Sequence, residues 1–377
     1  MKILIVSEIW THPVDMGNKR LITDQAKYLS ERGHEVHFLF IDLSLKKKIQ
    51  KYELMSEFWG ERLHILSTSK IRKIIYNLKW QAALRLRHGH INADTLYFDD
   101  IHNQINALNS EIGFDCCIIN YFYLSKALEK ISIKKKVLLT HDIFSNRNKN
   151  GTLTAMSTTQ EEEKKAAKRA QYILTVQKSD TEYFKQLVKS AKVLTIFSSF
   201  KFHETPMVGT HNILFLSGSA SFNILGLNWF FEKVWMPLKA EMHDIQLLVA
   251  GGICEKLDPV NIPDDVILLG YINDIESFFK SGDIFINPTY LGTGLKIKTL
   301  ESVAFNKISI TRNINRIGLP DEKELPIYFS DSPEEWISYI KDTIGNHDKI
   351  AKIKRQNQKY ISHLNDYIDR QYDILLT

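Results

Sequence analysis

The sequence predicts an α/β protein built from two parallel-sheet halves. Three observations carry this. Short β-branched apolar runs, such as residues 2–6, alternate with helical stretches, the pattern of parallel strands buried on both faces. The alternation lapses near residue 200 and starts afresh at residue 213. The length of 377 residues also exceeds what one hydrophobic core usually holds.

The 44% hydrophobic and 25% charged residues are those of a globular protein in water. No apolar run approaches the roughly 18 residues of a membrane span. The amino-terminal run is too short for a secretory signal and Glu8 ends it, so cytoplasmic residence is expected. Cys116, Cys117 and Cys254 lack metal or redox spacing and read as small core residues. The net charge of +5 is modest but clustered: Lys46, Lys47, Lys48 and Lys51; then Lys70, Arg72, Lys73, Lys79, Arg85 and Arg87; then Lys134, Lys135 and Lys136. Such clusters suit anionic lipid headgroups at the inner face of a membrane, phosphate-bearing substrates, or plain solvation. No nucleic-acid partner is expected.

Residues 2–6 form the first strand, and the loop after it holds His12, Pro13 and Gly17. A helix follows over 18–32, closed by Gly33, and a second strand over 36–41. This β–loop–α–β opening is Rossmann-like, and ligands of such sheets sit at the carboxyl ends of strands. Gly17, Asn18 and Arg20 are thus candidates to line a cleft, with a plain turn as the alternative for Gly17. Residues 46–109 differ in character: helical, basic and aromatic. There Ile71, Ile74, Ile75, Leu78, Ala82 and Leu86 recur at helical spacing among cations, which makes a basic amphipathic helix. Its apolar stripe serves its own domain, a membrane surface or a docked acceptor.

Strands resume at 116–120 and 137–140, and the second delivers His141 and Asp142 at its carboxyl end, with Arg147 close behind. A histidine there faces the ligand crevice or is a hydrogen-bonded structural residue. A helix at 161–170, a strand at 172–176, a helix at 179–189 and a strand at 193–197 complete the first half. Residues 201–211, with Pro206 and Gly209, read as a linker. A strand at 213–216 then leads through Ser217-Gly218-Ser219-Ala220-Ser221 into a helix at 224–239. Strands at 246–250 and 266–269 end in Gly251-Gly252 and Gly270-Tyr271, and a short helix spans 274–280. After a strand at 284–286 and a loop with Gly292 and Gly294, a helix opens carrying Lys296, Lys298 and Glu301. A strand at 308–311 and helices at 333–344 and 348–375 finish the chain.

Residues 287–301 hold a conflict. Glycines at the turn and free helix N–H groups favour an anion. Lysines in a helix's first turn are opposed by its dipole. A bound diphosphate resolves this; solvated lysines on an ordinary strand–loop–helix unit are the alternative.

Two Rossmann-like halves with a phosphate-type loop in the second resemble the GT-B architecture, in which two such domains face a central cleft. The ordered motifs of residues 213–319 resemble the donor half of the retaining family-4 glycosyltransferases. They are Ser217-Gly218-Ser219 with Asn223, Gly226 and Trp229-Phe230, then Val249-Ala250-Gly251-Gly252 and Gly270-Tyr271-Ile272-Asn273-Asp274. Gly282-Asp283 through Asn287-Pro288 and Gly292-Thr293-Gly294-Leu295-Lys296-Ile297-Lys298-Thr299-Leu300-Glu301 complete the set. Gly17 with Arg20, Gly33-His34-Glu35-Val36 and Thr140-His141-Asp142 extend the resemblance over the amino-terminal half.

The resemblance implies an acceptor domain over residues 1–205, with a basic helical insertion at 46–109. A donor domain over 206–355 and a carboxyl-terminal helix over 356–377, crossing back to the first domain, complete it. It makes Glu301 the ribose ligand and Lys296 and Lys298 the diphosphate grip, while His141 contacts the donor sugar. Gly17, Gly218, Ser219, Gly292, Thr293, Gly294 and Leu295 fall in the donor site, with Gly251, Tyr271 and Ile272 around the nucleobase. Asn18, Arg20, Asp142 and Arg147 fall on the acceptor side. Thr293 stands where much of the family has an acid against the sugar, and Ser219 and Leu225 replace a basic pair. The charge work therefore passes to Lys296 and Lys298.

Glycosyl transfer needs negative charge stabilised on a departing phosphate. Lysines and N–H groups supply that without a metal, and no Asp-x-Asp metal motif stands out. The implied reaction is a retaining, metal-independent transfer from a nucleoside-diphosphate sugar to a glycan or lipid-linked acceptor, by front-face attack. It needs no cofactor beyond the donor and fits bacterial surface polysaccharide synthesis. Domain closure would exclude water. A GT-B nucleotide-sugar 2-epimerase and a catalytically silent GT-B binding partner are the rival readings.

Overall fold

The computed structural model describes every residue except 15, 47, 87–88, 148–155, 206–210, 264, 291–294 and 320–324, and nothing of the side chain at 86. The chain divides into two units, Met1–Ser198 with Arg370–Thr377, and Ser199–Asp369.

The first unit runs β1 (Lys2–Ser7), α1 (Gly17–Glu31), β2 (Glu35–Asp42), α2 (Ile49–Trp59), β3 (Leu63–Ser67), α3 (Lys70–Leu86) and α4 (Asp100–Ile112). It continues with β4 (Cys116–Asn120), α5 (Ala127–Lys130), β5 (Lys135–Thr140), α6 (Gln160–Ala167), β6 (Tyr172–Thr175), α7 (Lys178–Leu187) and β7 (Lys192–Thr195). The strands are parallel, in the order β3-β2-β1-β4-β5-β6-β7. The central strands β1 and β4 are apolar along nearly their whole length because helices cover both faces of the sheet. Strand order reverses between β1 and β4, so the loops leaving their carboxyl ends part and open a crevice.

For residues 46–109 one expectation needs correction and one open alternative is narrowed. The region is not wholly helical, since β3 pairs with β2 as the sheet's edge, with Leu63 opposite Phe38 and Ser67 opposite Asp42. An edge strand half open to water, as β3 is, carries no continuous apolar run to read. The second concerns α3, which does not bury its isoleucine stripe. Tyr76, Trp80 and Ala83 pack on the first unit's core, whereas Ile71 is 72% and Leu78 63% exposed, with Ile74 and Ile75 also open.

The second unit holds β8 (Asn212–Leu216), α8 (Ser221–Phe230), α9 (Met236–Glu241), β9 (Gln246–Ala250), β10 (Val266–Gly270), α10 (Ile275–Lys280) and β11 (Ile284–Asn287). After these come α11 (Ile297–Ala304), β12 (Ile308–Thr311), β13 (Ile327–Phe329), α12 (Pro333–Thr343) and α13 (His347–Leu376). Its parallel sheet has the order β10-β9-β8-β11-β12-β13 and reverses between β8 and β11. The expected single helix over 224–239 is instead α8, a π-helical turn at Phe231–Trp235, and α9. Pro237, in the first turn of α9, has no N–H to bond back, and its ring crowds the carbonyl four residues earlier; the widened turn accommodates it. The short strand β13 had no counterpart in the sequence reading.

Helix α13 passes from the second unit to the first. Its residues up to 369 belong to the second unit, where Asn365 accepts from the Phe200 N–H and donates to its carbonyl. Beyond that point Tyr372 stacks on Tyr28 of α1 at 4.3 Å, and Lys135 donates to the Leu375 carbonyl at 2.8 Å.

Trp336 of α12 is fully buried beside Trp229 and Phe230, and its indole N–H donates to the Ser330 carbonyl at 2.8 Å. Trp336→Ala is expected to cost the second unit about 3–5 kcal/mol through the cavity it leaves. Thermal or denaturant unfolding of the variant, followed by near-UV circular dichroism, reads that loss.

Candidate functional site

In the second unit the polar residues gather where the strand order reverses. Ser217 follows β8, while Pro288 and Thr289 follow β11. Gly226 lets α8 approach that second loop: a Cβ there would lie 2.9 Å from the Pro288 carbonyl oxygen and 2.9 Å from the Thr289 Cα. Asn223 stands one turn earlier on the same face of α8 and meets Thr289, whose hydroxyl donates to Asn223 Oδ1 at 3.2 Å. The Asn223 amide donates in turn to the Gly218 carbonyl at 3.0 Å.

Lys298, in the first turn of α11, enters this group. Its ammonium donates to Asn223 Oδ1 at 2.8 Å, Ser217 Oγ at 3.1 Å and Thr289 Oγ1 at 3.2 Å, and lies 5.2 Å from the centre of the Phe215 ring. All three acceptors are neutral. Burial, with a smaller effect of the neighbouring Lys296 charge, lowers the pKa of Lys298 to about 7. A carboxylate partner would raise it instead. Beneath the lysine, Asn287 donates to Thr299 Oγ1 at 2.9 Å, and Asn315 donates to the Thr289 carbonyl and to Thr311 Oγ1, each at 2.7 Å. This buried amide lattice fixes the β11 loop and the base of α11 together.

The other expected donor residues surround the same edge of the sheet. Gly251 has φ +95° and would place a Cβ 2.3 Å from the Ser217 carbonyl oxygen, so only glycine fits where the loops after β8 and β9 touch. Its N–H donates to the Gly270 carbonyl at 2.7 Å. Ser219 is exposed, and Gly252 lies close enough that a Cβ would come within 3.9 Å of the Ser219 nitrogen. Tyr271 is 71% exposed, whereas Ile272 packs on the cluster of Leu214, Phe279 and Phe285. Leu295 and Lys296 are half-buried, and Glu301 is buried in α11. Gly292, Thr293 and Gly294 lie outside the described residues. Sequence reasoning counted Ser217 and Asn223 among the donor-half motifs but gave neither them nor Thr289 a role at the site. The Asn223–Gly226 spacing, which puts both on one helix face, is the signal that could have found them.

In the first unit His141 follows β5 and is organised by β4. Asn120 donates its amide to the Val6 carbonyl, which turns its oxygen toward His141 Nε2 at 2.9 Å. Burial, with a smaller effect of Arg147, lowers the His141 pKa to about 3. A neutral ring facing an oxygen through Nε2 carries its proton there, leaving the Nδ1 lone pair as an acceptor. Tyr121 stacks on the ring at 4.3 Å from a left-handed backbone, φ +71°, a strained conformation for a tyrosine. Asn18 donates to the Tyr121 hydroxyl at 2.9 Å from the first turn of α1, which Gly17 opens. Arg20 pairs with Asp24 one turn on. Asp142 and Arg147 pair with each other at 2.9 Å, the guanidinium lying 3.9 Å from the Phe144 ring centre.

Comparisons with known proteins come to the same architecture. Residues 210–346 match the family model described as Glycosyl transferases group 1. An uncharacterised 44.6 kDa protein in the cps region of Klebsiella pneumoniae is 22% identical over 344 residues, covering 84% of each chain. The crystal structure of TarM from S. aureus aligns at a TM-score of 0.68 with 9% identity, over 99% of this chain and 98% of that one. HepE of Anabaena, solved in complex with UDP, aligns at 0.66 with 13% identity, over 100% and 99%. The fold is GT-B.

The charge state of Lys298 has a measurable signature. Unfolded, it titrates in the ordinary lysine range; folded, at about 7. Between those values the unfolded chain holds the extra proton, so this lysine's contribution to stability improves as pH rises. In ligand-free protein, the Tm of Lys298→Met minus that of wild type should therefore fall between about pH 7 and about pH 10. A difference that stays constant with pH would mean the buried ammonium is not its source.

Proposed function

We propose that this GT-B glycosyltransferase is a retaining, metal-independent enzyme of the family-4 type. It would move a sugar from a nucleoside-diphosphate sugar to a glycan or lipid-linked acceptor in surface polysaccharide synthesis. The observation that carries the reading is the half-buried Lys298 ammonium at the reversal of the second sheet, with only neutral hydrogen-bond partners among the described residues. A diphosphate supplies the missing counter-charge and raises the lysine's pKa. As the sugar–phosphate bond breaks, negative charge grows on the leaving oxygen, and Lys298, Lys296 and the first N–H groups of α11 stabilise it where it forms. Glu301 is assigned to the ribose. His141, neutral throughout the working range, accepts a hydroxyl hydrogen bond through Nδ1 and does not act as an acid. The acceptor's proton passes to the departing phosphate as the new bond forms on the same face of the sugar. The cps region of the Klebsiella relative and the UDP complex of HepE support the polysaccharide and nucleotide parts of the reading.

The outward face of α3 is assigned to an anionic membrane at the cytoplasmic side. Ile71, Ile74, Ile75 and Leu78 are open to water, and Lys70 and Arg85 flank them on the same helix. Apolar insertion plus basic flanks is the composition that binds such surfaces.

Two measurements bear on this. With donor and an acceptor panel, Lys298→Ala is expected to lower kcat roughly 10²–10³-fold, the loss typical of one oxyanion contact, while EDTA leaves wild-type turnover unchanged. Wild-type turnover in the variant would sink the phosphate assignment, and conversion of donor without any acceptor would make the protein an epimerase instead. For the membrane, wild type should co-sediment with vesicles of anionic phospholipid and not with neutral ones, and Ile71→Glu with Leu78→Glu should abolish it. Sedimentation unaffected by that pair would remove α3 from the contact.

A further inference from the structure

Glu8 follows β1 and Tyr123 follows β4, so both stand at the reversal point of the first sheet. Tyr123 donates to Glu8 Oε1 and Tyr76 of α3 donates to Oε2, each at 2.6 Å. A carboxylate offers about four acceptor positions, so these two bonds leave it with capacity to spare. Over Glu8 opens a cavity of about 410 Å³, walled by Trp10, Tyr76, Asn77 and Trp80, with Lys46 and Lys48 at its edge. Small-molecule sites run to roughly 300–1,000 Å³, which gives this one room for a small saccharide and not for a long chain.

The walls are held in place. Trp10 is wedged against Phe40 at 4.4 Å and Tyr52 at 4.8 Å, and Trp80 packs on the first unit's core. The Asn77 amide is spent on the carbonyls of Leu43 and Lys73, which leaves its side-chain oxygen as the acceptor. Two indoles, a carboxylate and an amide oxygen match a pyranose. The negative faces of the rings attract its polarised C–H groups, and the oxygens take its hydroxyls. Lys48 lies 5.5 Å from the Trp10 ring centre, and neither it nor Lys46 has a carboxylate partner among the described residues. A neutral sugar would leave both cations unused.

We propose that this cavity binds an acidic saccharide, a hexopyranose bearing a carboxylate or phosphate group, as part of the acceptor. Its hydroxyls lie on Glu8 and Asn77, its ring lies against Trp10 and Trp80, and its anionic group lies at Lys46 and Lys48. The word acceptor rests on the glycosyltransferase reading, while the binding chemistry stands apart from it.

Full-length protein is titrated with methyl glucuronoside, methyl glucoside 6-phosphate and neutral methyl glucoside, followed by saturation-transfer NMR and tryptophan fluorescence. At least one acidic probe should bind about tenfold tighter than the neutral one or better, the weight of a charge-assisted contact. The tighter of the two tells whether the carboxylate or the phosphate is the native group. Lys46→Ala with Lys48→Ala should erase the preference, and Trp80→Ala should weaken all three probes at least several-fold. Equal affinity for acidic and neutral probes, or a preference that survives loss of both lysines, overturns the proposal. The lysines are exposed and carry the decision if Trp80→Ala does not fold. UDP titrated into the same samples separates the two readings. UDP bound with no acidic preference defeats the cavity alone, and an acidic preference without UDP binding defeats the transferase reading alone.

Discussion

An ammonium drawn partly out of water, with no counter-charge bonded to it among the described residues, is the constraint on which the second unit depends. Burying an ion costs several kcal/mol even after the protein relaxes. Asn223, Ser217 and Thr289 offset part of this with hydrogen bonds to a charged donor, but none of them carries charge, and Lys296 adds repulsion. A structure that needed only stability would place a carboxylate or a methionine here. The surrounding construction keeps the lysine in place regardless. Gly226 gives up a side chain so that α8 can close on the β11 loop, and the Asn287–Asn315–Thr311 lattice anchors that loop from beneath. On the proposed function, an anionic ligand would supply the counter-charge that this arrangement lacks.

The first unit places different groups at its reversal point. That point holds His141, which burial keeps neutral, and Glu8, whose pKa burial raises, and both are fixed by hydrogen bonds to Asn120, Tyr123 and Tyr76. Tyr121 takes a strained backbone to serve both sides, stacking on His141 and receiving Asn18. A nucleoside diphosphate calls for uncompensated positive charge. A sugar calls for oriented oxygens and ring faces. On the proposed function, the two units would divide those demands.

Much of this was legible in the residues. Buried parallel strands announce themselves as apolar runs, and lysines opposed to a helix dipole mark Lys298 as a residue with a reason to be there. What was hidden had physical causes. β3 is an edge strand too wet to show a run, and the π-turn before α9 answers to Pro237 through backbone geometry that no hydrophobic period records. Ser217, Asn223 and Thr289 are residue types that serve as caps and turns everywhere, so only their convergence on one nitrogen distinguishes them. On α3 the periodicity was readable but its direction was not. A helix with isoleucines on one side and Tyr76, Trp80 and Ala83 on the other has two faces able to pack, and sequence alone does not choose between them.

That choice links the two proposals for the first unit. The inner face of α3 supplies Tyr76, Asn77 and Trp80 to the cavity, and the outer face carries the exposed isoleucines. A helix with its side chains is about 10–12 Å across. With the outer face on a membrane, the cavity therefore lies about one helix diameter from the lipid, at the level of the headgroups. An acceptor anchored in the bilayer would present only its first sugars at that height. Lys46 and Lys48, exposed at the cavity's edge, would meet both the anionic surface and the acidic sugar, and surface charges compete over distances of roughly 8–10 Å at physiological salt. A strongly anionic membrane would thus recruit the protein and at the same time occupy the cations that read the saccharide. Moderate surface charge is then the condition under which both contacts hold together.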